Sequence, residues 1–344
     1  MPFLVWQKIT REWGSFFWKD FIPFETPDGL QLRMIRKWHP DYRGKGAVLL
    51  IHGFAQNRYS WHLPDRSFVN YLAVNGYDVF NLELRGHGRS GFRSSPPELF
   101  EDYVEKDVPS AVKKVVEVSG EKKLFVIGHS LGGAIIYASA PFFKDHIRGI
   151  VTIGGVFLFG QGQKIFNLIS KLAVTLDRNL RFLDLLGYVP FHIVGEILEK
   201  TTIILNSPLF RDFPITPWYP GSIERELARF RLKEGFDKTG INILKIMIKW
   251  ASEGRFTDLE GKKDYWSEFV KLDVPLLVIT GDRDTLCTHA DAYPAYFFSQ
   301  SRDKEYRIFT FKDGNTHWGH IDLIQGQMAP YIVWPYILHW MEVR

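Results

Sequence analysis

The sequence predicts an α/β fold in which helices cover both faces of a mostly parallel sheet that is interrupted by a large helical insertion. Strand-like and helix-like segments alternate along most of the 344 residues, which is the pattern of parallel strands joined by helical crossovers. Between about residues 156 and 270 this alternation stops, and helix-like stretches follow one another. The length suits one large α/β domain with an insertion.

Short apolar runs mark the predicted strands. The Pro27–Asp28–Gly29 sequence is a turn signal between two extended segments, which predicts an antiparallel start to the sheet. After it, the predicted strands cover residues 30–38, 47–53, 77–84, 123–130, 147–155, 275–282 and 305–312.

Helix-like stretches separate these strands. Residues 156–270 are interpreted as an inserted helical cap or lid, interrupted by the proline-rich segment 207–222. Because the strands resume afterwards, the predicted core is discontinuous and consists of residues 25–155 and 271–344. The other predicted helices lie at about 61–75, 97–119, 131–144, 288–300 and 327–343.

The first 24 residues are predicted to form an amphipathic segment. Five apolar residues recur there near one helical face, namely Trp6, Ile9, Trp13, Phe16 and Phe17. The spacing predicts a helix with one apolar side. Two interpretations stay open: the helix packs on the body of the protein, or it makes peripheral membrane contact.

The composition is that of an ordinary globular protein, with 45% hydrophobic and 24% charged residues. The formal net charge of +4 is too mild to indicate a nucleic-acid partner. The single cysteine, Cys287, excludes an intrachain disulfide and fits a reducing compartment. No secretory segment or long uncharged apolar run is present, so the expected location is cytoplasmic, with membrane association left open.

Ser130 lies in Gly128–His129–Ser130–Leu131–Gly132, a G-x-S-x-G pattern. An apolar strand precedes it and an alanine-rich helical segment follows, which is the context of a nucleophile elbow. In such an elbow the serine occupies a strained turn, and the N-terminus of the helix points at the site. We therefore predict that Ser130 is a catalytic nucleophile.

A serine hydroxyl needs a base that is held by a carboxylate, and two aspartates compete for the acid position. Both lie in the segment 280–284, directly after a predicted strand. Asp284 is further into the loop, from where it can reach across to a histidine, and is preferred. Asp282 is the alternative, with loop capping as its other interpretation.

Two histidines compete for the base position after the last predicted strand, His317 and His320. His320 follows a glycine and directly precedes a helical segment, so it is preferred. The resulting order of Ser130, Asp284 and His320 along the chain is the order that this elbow-bearing fold uses. An ordinary loop histidine is the other interpretation of either residue.

An acyl-transfer intermediate needs N–H donors for its oxyanion. The Leu131 amide is one predicted donor, because it follows the nucleophile at the helix N-terminus. The second is predicted in the loop after strand 47–53, with the amide of Phe54 preferred and that of Ala55 next. His52 is interpreted as a structural hydrogen-bonding residue and not as the base.

Five motifs in this order resemble the α/β-hydrolase superfamily: HGFAQNRYSW (52–61), ELRGHGRSG (83–91), GHSLGG (128–133), GDRD (281–284) and GHID (319–322). The resemblance covers about residues 30–343 without the insertion. It implies a mostly parallel eight-stranded sheet flanked by helices, an inserted helical cap and a Ser–His–Asp triad.

Residues 317–340 are similar to the end of acid-lipase-like and polyester-synthase-like members, in which the second histidine is the base, and this supports His320. Polyester synthases carry a cysteine nucleophile, so Ser130 argues against synthase activity. ELRGHGRS resembles the D-x-R-G-H-G-x-S loop of serine lipases, with Glu83 in place of the usual aspartate. Arg85 and His87 are expected to support the site from behind.

The expected function is hydrolysis of carboxylic esters, of the esterase or lipase type, through an acyl-enzyme. The apolar insertion and GVFLFG (155–160) favour an apolar acyl substrate. Alternatives are an acyltransferase, thioesterase or perhydrolase on the same triad, or a non-enzymatic hydrolase-like scaffold. Epoxide hydrolases and dehalogenases are disfavoured because their nucleophile is aspartate. No cofactor, metal or nucleic acid is expected, the partner is a small ester or lipid, and the oligomeric state is open.

Overall fold

Nine strands form one sheet in the computed structural model, which describes residues 1–41, 44–90, 98–200, 202 and 206–344. The strands cross the sheet in the order β1–β2–β3–β5–β4–β6–β7–β8–β9. Strands β1 to β3 are antiparallel, β3 also pairs antiparallel with β5, and the remaining pairs are parallel. The predicted mostly parallel fold is thus confirmed. The strands are β1 (Phe3–Lys8), β2 (Gly14–Glu25), β3 (Gln31–Trp38), β4 (Ala47–Ile51), β5 (Asp78–Glu83), β6 (Leu124–His129), β7 (Ile147–Ile153), β8 (Leu276–Gly281) and β9 (Lys304–Phe309).

Eleven helices are labelled in chain order, and short turns are left unlabelled. Before α2 the chain makes a helical turn at Phe100–Asp102 and a π-helix at Tyr103–Asp107; residue 97, the first of the helix predicted there, lies outside the described residues. No helix in the described ranges combines the length and apolarity needed to cross a bilayer. The helices are α1 (Phe68–Val74), α2 (Val108–Ser119), α3 (Leu131–Ser139), α4 (Lys164–Leu176), α5 (Phe191–Lys200), α6 (Arg225–Glu234), α7 (Ile241–Glu253), α8 (Tyr265–Val270), α9 (His289–Phe298), α10 (Asp322–Gln325) and α11 (Val333–Glu342).

The sheet is buried on both faces, as the fully apolar strand β4 illustrates. Val48 and Leu50 belong to one hydrophobic core together with α1 and α11. Leu49 and Ile51 belong to the other, together with α2, α3 and α9. Successive side chains of a strand point to opposite faces, so a strand between two helical layers needs apolar residues throughout.

The N-terminal segment is a β-hairpin, so the predicted amphipathic helix is wrong. Strands β1 and β2 pair with each other, and residues 18–25 of β2 pair with β3. Aromatic and β-branched residues suit strands, and β3 offers an edge with which residues 18–25 pair. The hairpin brings the sheet to nine strands instead of eight. The five residues at helical spacing divide between a buried pair, Ile9 and Phe17, and an exposed trio, Trp6, Trp13 and Phe16.

Residues 156–270, the helical insert, contain α4 to α8. Its only strands among the described residues are two of two residues each, Tyr188–Val189 and Thr239–Gly240; residues 201 and 203–205 lie outside the described part of the chain. Its first two helices expose apolar side chains that a packed helix would bury. These exposed side chains are Ile165, Leu168, Ile169, Leu172, Leu176, Ile193, Val194 and Ile197.

Candidate active site

Ser130 occupies the sharp turn between β6 and α3. Its φ of +57° and ψ of −125° lie where non-glycine residues are rarely found, as expected of a strained elbow. Its N–H donates to the Ile153 carbonyl (3.1 Å), and its carbonyl accepts from the Gly133 N–H (2.9 Å). A Cβ at Gly132 would lie 2.4 Å from the Ile51 carbonyl oxygen, so only glycine fits there. The serine itself stays partly exposed.

Asp284 and His320 form a buried pair at the carboxyl edge of the sheet. Oδ2 of Asp284 lies 2.8 Å from Nδ1 of His320. Its Oδ1 accepts the N–H groups of Leu286 (3.0 Å) and Cys287 (2.8 Å). The side chains of Asp284 and His320 are 0% and 2% exposed. Because the main chain fixes one carboxylate oxygen, the other is aimed at the imidazole, and Nε2 is directed away from the carboxylate.

The end of β7 connects this pair to Ser130. Gly154 directly follows Ile153, the residue whose carbonyl accepts the Ser130 N–H. A Cβ at Gly154 would lie 2.9 Å from Nδ1 of His320 and 3.0 Å from Oδ2 of Asp284. The structure therefore brings the three preferred residues, which are far apart in sequence, to one place.

His129 is a contact that the sequence analysis missed. Its ring centroid lies 4.5 Å from that of His320, and its Nε2 lies 3.2 Å from the His320 carbonyl oxygen. Burial and then the neighbouring His320 lower the pKa of His129 well below its usual 6.5, so the ring is neutral and Nε2–H donates. A G-x-S-x-G pattern carries no signal for a contact across 191 residues.

The alternative acid and base also pair with each other. Nδ1 of His317 lies 2.6 Å from Oδ2 of Asp282, whose Oδ1 accepts the Trp318 N–H (3.0 Å). His317 is 26% exposed and Asp282 18%. The rings nearest to His317 are those of Tyr219 and Phe311, at 5.0 and 5.1 Å. The four candidate residues therefore form two distinct pairs, Asp284–His320 and Asp282–His317.

The predicted oxyanion donors lie on either side of Ser130. Leu131 is the first residue of α3, so its N–H is among those without a partner inside the helix. The main chain turns at Gly53–Gln56, where the last N–H donates to the first carbonyl (3.3 Å). Phe54 and Ala55 are the central residues, and Ala55 has a φ of +53°. A Cβ on the first residue of this turn would lie 2.8 Å from Cβ of Ser130.

His52 has the structural role expected of it. Its Nδ1 lies 3.0 Å from the Gly53 carbonyl oxygen, and its Nε2 accepts the Leu84 N–H (3.2 Å). Burial and then the neighbouring His87 lower the pKa of His52 to about 3. It is therefore neutral, with both ring nitrogens engaged by the main chain.

Arg85 and Glu83 hold the loop after β5 in place. Arg85 donates to Asp107 through Nε (2.8 Å) and Nη2 (2.6 Å), and to Asp28 through Nη1 (3.0 Å). Glu83, which replaces the usual aspartate, is fully buried and accepts from Nη1 of Arg58 (2.6 Å). These contacts tie the loop after β5 to Asp28, Arg58 and Asp107 of the α/β core.

Other polar features lie away from this place. A groove of about 1000 Å³ is lined by Lys122, Lys123, Lys144 and Arg148, next to the first residues of β6 and β7, at the amino edge of the sheet. Within the described ranges, no three His, Cys, Asp or Glu side chains form a group that could hold a metal ion. The carboxyl edge around Ser130 is therefore the candidate active site.

Comparisons with known proteins agree with this architecture. A family model for the alpha/beta hydrolase fold matches residues 46–169. Lipase member K of Homo sapiens is 33% identical over 381 aligned positions, covering 97% of this chain and 90% of the relative. Epoxide hydrolase B of Mycobacterium tuberculosis is 31% identical over 129 residues, 38% of this chain and 34% of the relative. The epoxide hydrolase is thus matched over about a third of its length, whereas the lipase is matched over most of it.

A solved structure extends the likeness of fold to almost the whole chain. A soluble variant of monoglyceride lipase from Saccharomyces cerevisiae, in complex with a substrate analog, aligns with a TM-score of 0.62. The alignment covers 92% of this chain and 93% of that one at 18% identity. At that identity the likeness is one of fold.

Proposed function

We propose that this chain, which belongs to the α/β-hydrolase superfamily, is a serine hydrolase that cleaves carboxylic esters. The observation that carries the proposal is the buried Asp284–His320 pair beside the strained Ser130. A hydroxyl, an imidazole and a carboxylate in this relation form the group that activates a serine for attack on an acyl carbonyl.

In the proposed reaction, Nε2 of His320 takes the Ser130 proton while Oγ attacks the acyl carbon. Asp284 holds the proton on Nδ1 and stabilises the imidazolium. His320 then gives its proton to the leaving alcohol oxygen as the ester C–O bond breaks, which leaves an acyl-enzyme. Water, deprotonated by the same nitrogen, releases the acid and restores Ser130.

The oxyanion of each tetrahedral intermediate is proposed to accept hydrogen bonds from the amides of Leu131 and Phe54, with Ala55 as the next candidate donor. Two features support this choice. The Leu131 amide is at a helix N-terminus, which favours negative charge. The turn that carries Phe54 lies against the Ser130 side chain.

The choice of Asp284–His320 over Asp282–His317 as the proposed acid and base rests on what surrounds each pair. Asp284–His320 is shielded from solvent and lies against the elbow through Gly154 and His129, and a charged hydrogen bond is stronger in such a low-dielectric place. His317 is partly exposed and lies between aromatic rings. We assign it no part in proton transfer.

An apolar acyl group is the proposed substrate feature, with the helical insert as the cap that covers it. The rings of Phe54 and Phe191 meet at 5.0 Å, so the first turn of α5 lies over the oxyanion turn. The exposed apolar side chains of α4 and α5 suit a lipid-like substrate. The likeness to a lipase over most of both chains supports the same class.

Epoxide opening is disfavoured by the chemistry of the nucleophile, although an epoxide hydrolase is among the relatives. Attack of a serine oxygen on an epoxide carbon would form an alkyl ether, which water does not release under these conditions. An acyl group on Ser130 is an ester and can turn over. Acyl transfer, thioester cleavage or perhydrolysis would use this same acyl-enzyme with another acceptor or leaving group.

Peripheral membrane contact is proposed on the β1–β2 hairpin instead of a helix. Its exposed Phe3, Leu4, Trp6, Trp13 and Phe16 are residues that suit a lipid interface, and the chain is net basic. We expect co-sedimentation with anionic liposomes to weaken in the double variant Trp6→Ser, Phe16→Ser. Unchanged sedimentation would remove the membrane contact and leave the hydrolase proposal standing.

The test of the function is turnover of a p-nitrophenyl ester ladder from acetate to palmitate, alongside labelling by a fluorophosphonate. We expect turnover with an optimum above acetate, and loss of both turnover and labelling in Ser130→Ala. Labelling without turnover would indicate a narrower substrate or an acyltransferase. Absence of both in the wild type would favour the non-enzymatic scaffold.

A further inference from the structure

The oxyanion loop, residues 53–57, contains a strained residue that needs outside support. Ala55 has a φ of +53° in the centre of its turn, a position that favours glycine or asparagine. An L-residue is strained there, because its Cβ comes too close to the following carbonyl oxygen. Such conformations persist where surrounding contacts over-determine them.

Those contacts come from residues 231–237 at the end of α6 and just beyond it, which we call the clamp segment. The Asp237 N–H donates to the Ala55 carbonyl (2.9 Å). Gln56 and Phe236 form an antiparallel bridge. One residue further, Nδ2 of Asn57 donates to the Glu234 carbonyl (2.9 Å). Three consecutive loop residues are therefore each bound to the insert.

Arg231 joins the two segments from the inside. It is 2% exposed, and its Nη1 donates to the Gly235 carbonyl (2.6 Å) within the clamp segment. Its Nη2 lies 3.5 Å from Oγ of Ser60, and the Ser60 hydroxyl donates to Oε1 of Gln56 (2.7 Å). The same oxygen accepts the Gly53 N–H at 3.4 Å, so a chain of polar contacts runs from the guanidinium to the first residue of the loop.

Arg231 also interacts electrostatically with two buried histidines, His52 and His129. Burial is the main cause of the lowered pKa of His52 and of His129, and Arg231 lowers both pKa values further. His52 directly precedes the loop, and His129 directly precedes Ser130. Nε of Arg231 has no hydrogen-bond partner among the described residues. The buried guanidinium is therefore linked to the oxyanion loop by the contacts through Ser60 and Gln56.

We propose that the clamp segment, through Arg231 and the main-chain N–H of Asp237, fixes the oxyanion loop in its catalytic conformation. The insert is then a positioning part of the oxyanion site as well as a cover over the substrate. This inference rests on the proposed function, because it concerns the stabilisation of the oxyanion on Ser130.

A pair of ketones separates the oxyanion site from the rest of the pocket. A trifluoromethyl ketone adds to Oγ of Ser130, its proton passing to His320, and places an oxyanion in the site. The matching methyl ketone binds without that addition. We would measure kcat, KM and both inhibition constants in Arg231→Lys, Arg231→Met and Ser60→Ala. The control is Arg229→Gln, on the same helix, which loses only a surface pair with Glu199.

We expect kcat to fall about tenfold to hundredfold in the Arg231 variants and by a smaller factor in Ser60→Ala. The KM of each variant should stay within about twofold of the wild-type value. The trifluoromethyl ketone constant should rise by the same factor as kcat falls, while the methyl ketone constant stays unchanged. Adding Ala55→Gly to Arg231→Met should recover part of the loss, because glycine holds the turn without strain.

Three results would overturn the proposal. One is that the Arg231 variants have the same kcat and the same two inhibition constants as the Arg229→Gln control. Another is an equal rise of both inhibition constants, which would indicate general damage to the pocket. If the Arg231 variants do not fold, an unchanged trifluoromethyl ketone constant in Ser60→Ala is decisive. If the wild type is neither labelled by fluorophosphonate nor bound by the trifluoromethyl ketone, the proposed function fails first.

Discussion

Two aspartate–histidine pairs lie side by side in sequence and have almost the same local geometry, yet their surroundings differ. The Oδ2–Nδ1 distances are 2.8 Å in Asp284–His320 and 2.6 Å in Asp282–His317. Solvent is excluded from the first pair and reaches the second. A short contact between the two side chains therefore does not single out a catalytic pair. The proposed catalytic pair is chosen for its burial and its nearness to Ser130.

The second pair has a structural explanation of its own. Oδ1 of Asp282 accepts the Trp318 N–H, so the end of β8 is tied to the loop that carries His320. The Arg283 N–H also donates to the Trp318 carbonyl (2.9 Å). Asp282–His317 thus fixes the loop, whereas the adjacent pair is proposed to transfer the proton. Four predictions test this division.

The largest contrast is expected between the two histidines. His320→Ala should lower kcat about 10⁴-fold or more, because no base remains for Ser130. His317→Ala should stay within about tenfold of the wild type, since only the loop anchor is lost. Steady-state hydrolysis of the preferred p-nitrophenyl ester measures both. The reverse order would move the base to His317.

The aspartates should differ by about 10³- to 10⁴-fold in kcat. In Asp284→Asn the amide oxygen can keep the two main-chain N–H groups, so its NH₂ faces Nδ1 and forces the imidazole into the tautomer that cannot accept the serine proton. Asp282→Asn should retain most activity and lose about 1 kcal/mol of stability. Kinetics with thermal melts distinguishes them, and equal losses of activity would end the division of roles.

The sequence predicted the parallel half of this molecule well, for a physical reason. Strands buried on both faces are apolar runs, and a nucleophile elbow needs small residues close together, so both leave local signals. The choice between the two aspartates was weaker, because Asp282 and Asp284 share a loop and differ only in what lies opposite them after folding.

Two features had no local signal. Residues 1–25 carry apolar residues at helical spacing, and they form a β-hairpin because β2 pairs with β3. The clamp on the oxyanion loop joins Ala55 to Asp237 across the sequence, and no residue pattern in either segment indicates the other. Tertiary contacts decide both.

A smaller effect is expected from adding one methyl group at Gly154, beside the Asp284–His320 pair, and at Gly314, in the loop that precedes His317. Gly154 and Gly314 both have positive φ, at +54° and +90°, so alanine is strained at either by about 1–2 kcal/mol. At Gly154 the new Cβ would also meet His320 and Asp284. At Gly314 the three nearest atoms would belong to Met328 and Ile332, at 3.4 Å or more.

We therefore expect Gly154→Ala to lower kcat about tenfold to hundredfold, because displacement of the base by a few tenths of an ångström costs alignment. Gly314→Ala should lose comparable stability and keep its activity. Melting temperatures and kcat for both variants give the comparison. Full activity in Gly154→Ala would mean that Gly154 does not confine the pair.

The smallest expected effect is a pH dependence of the protein's stability that comes from His129, the residue next to the buried Asp284–His320 pair. The pKa of His129 is lowered in the folded protein, so the unfolded chain binds more protons as the pH falls below about 6.5. The contribution of this residue to stability is nearly complete above pH 6.5 and is lost on acidification, with at most about 1.4 kcal/mol lost between pH 6 and pH 5. Urea unfolding at these two pH values measures the loss.

In His129→Gln the loss should shrink by about that amount, because glutamine can still donate to the His320 carbonyl but takes up no proton on unfolding. An unchanged loss in that variant would mean that His129 is already protonated beside His320, which would place a second positive charge against the imidazolium that the proposed reaction forms.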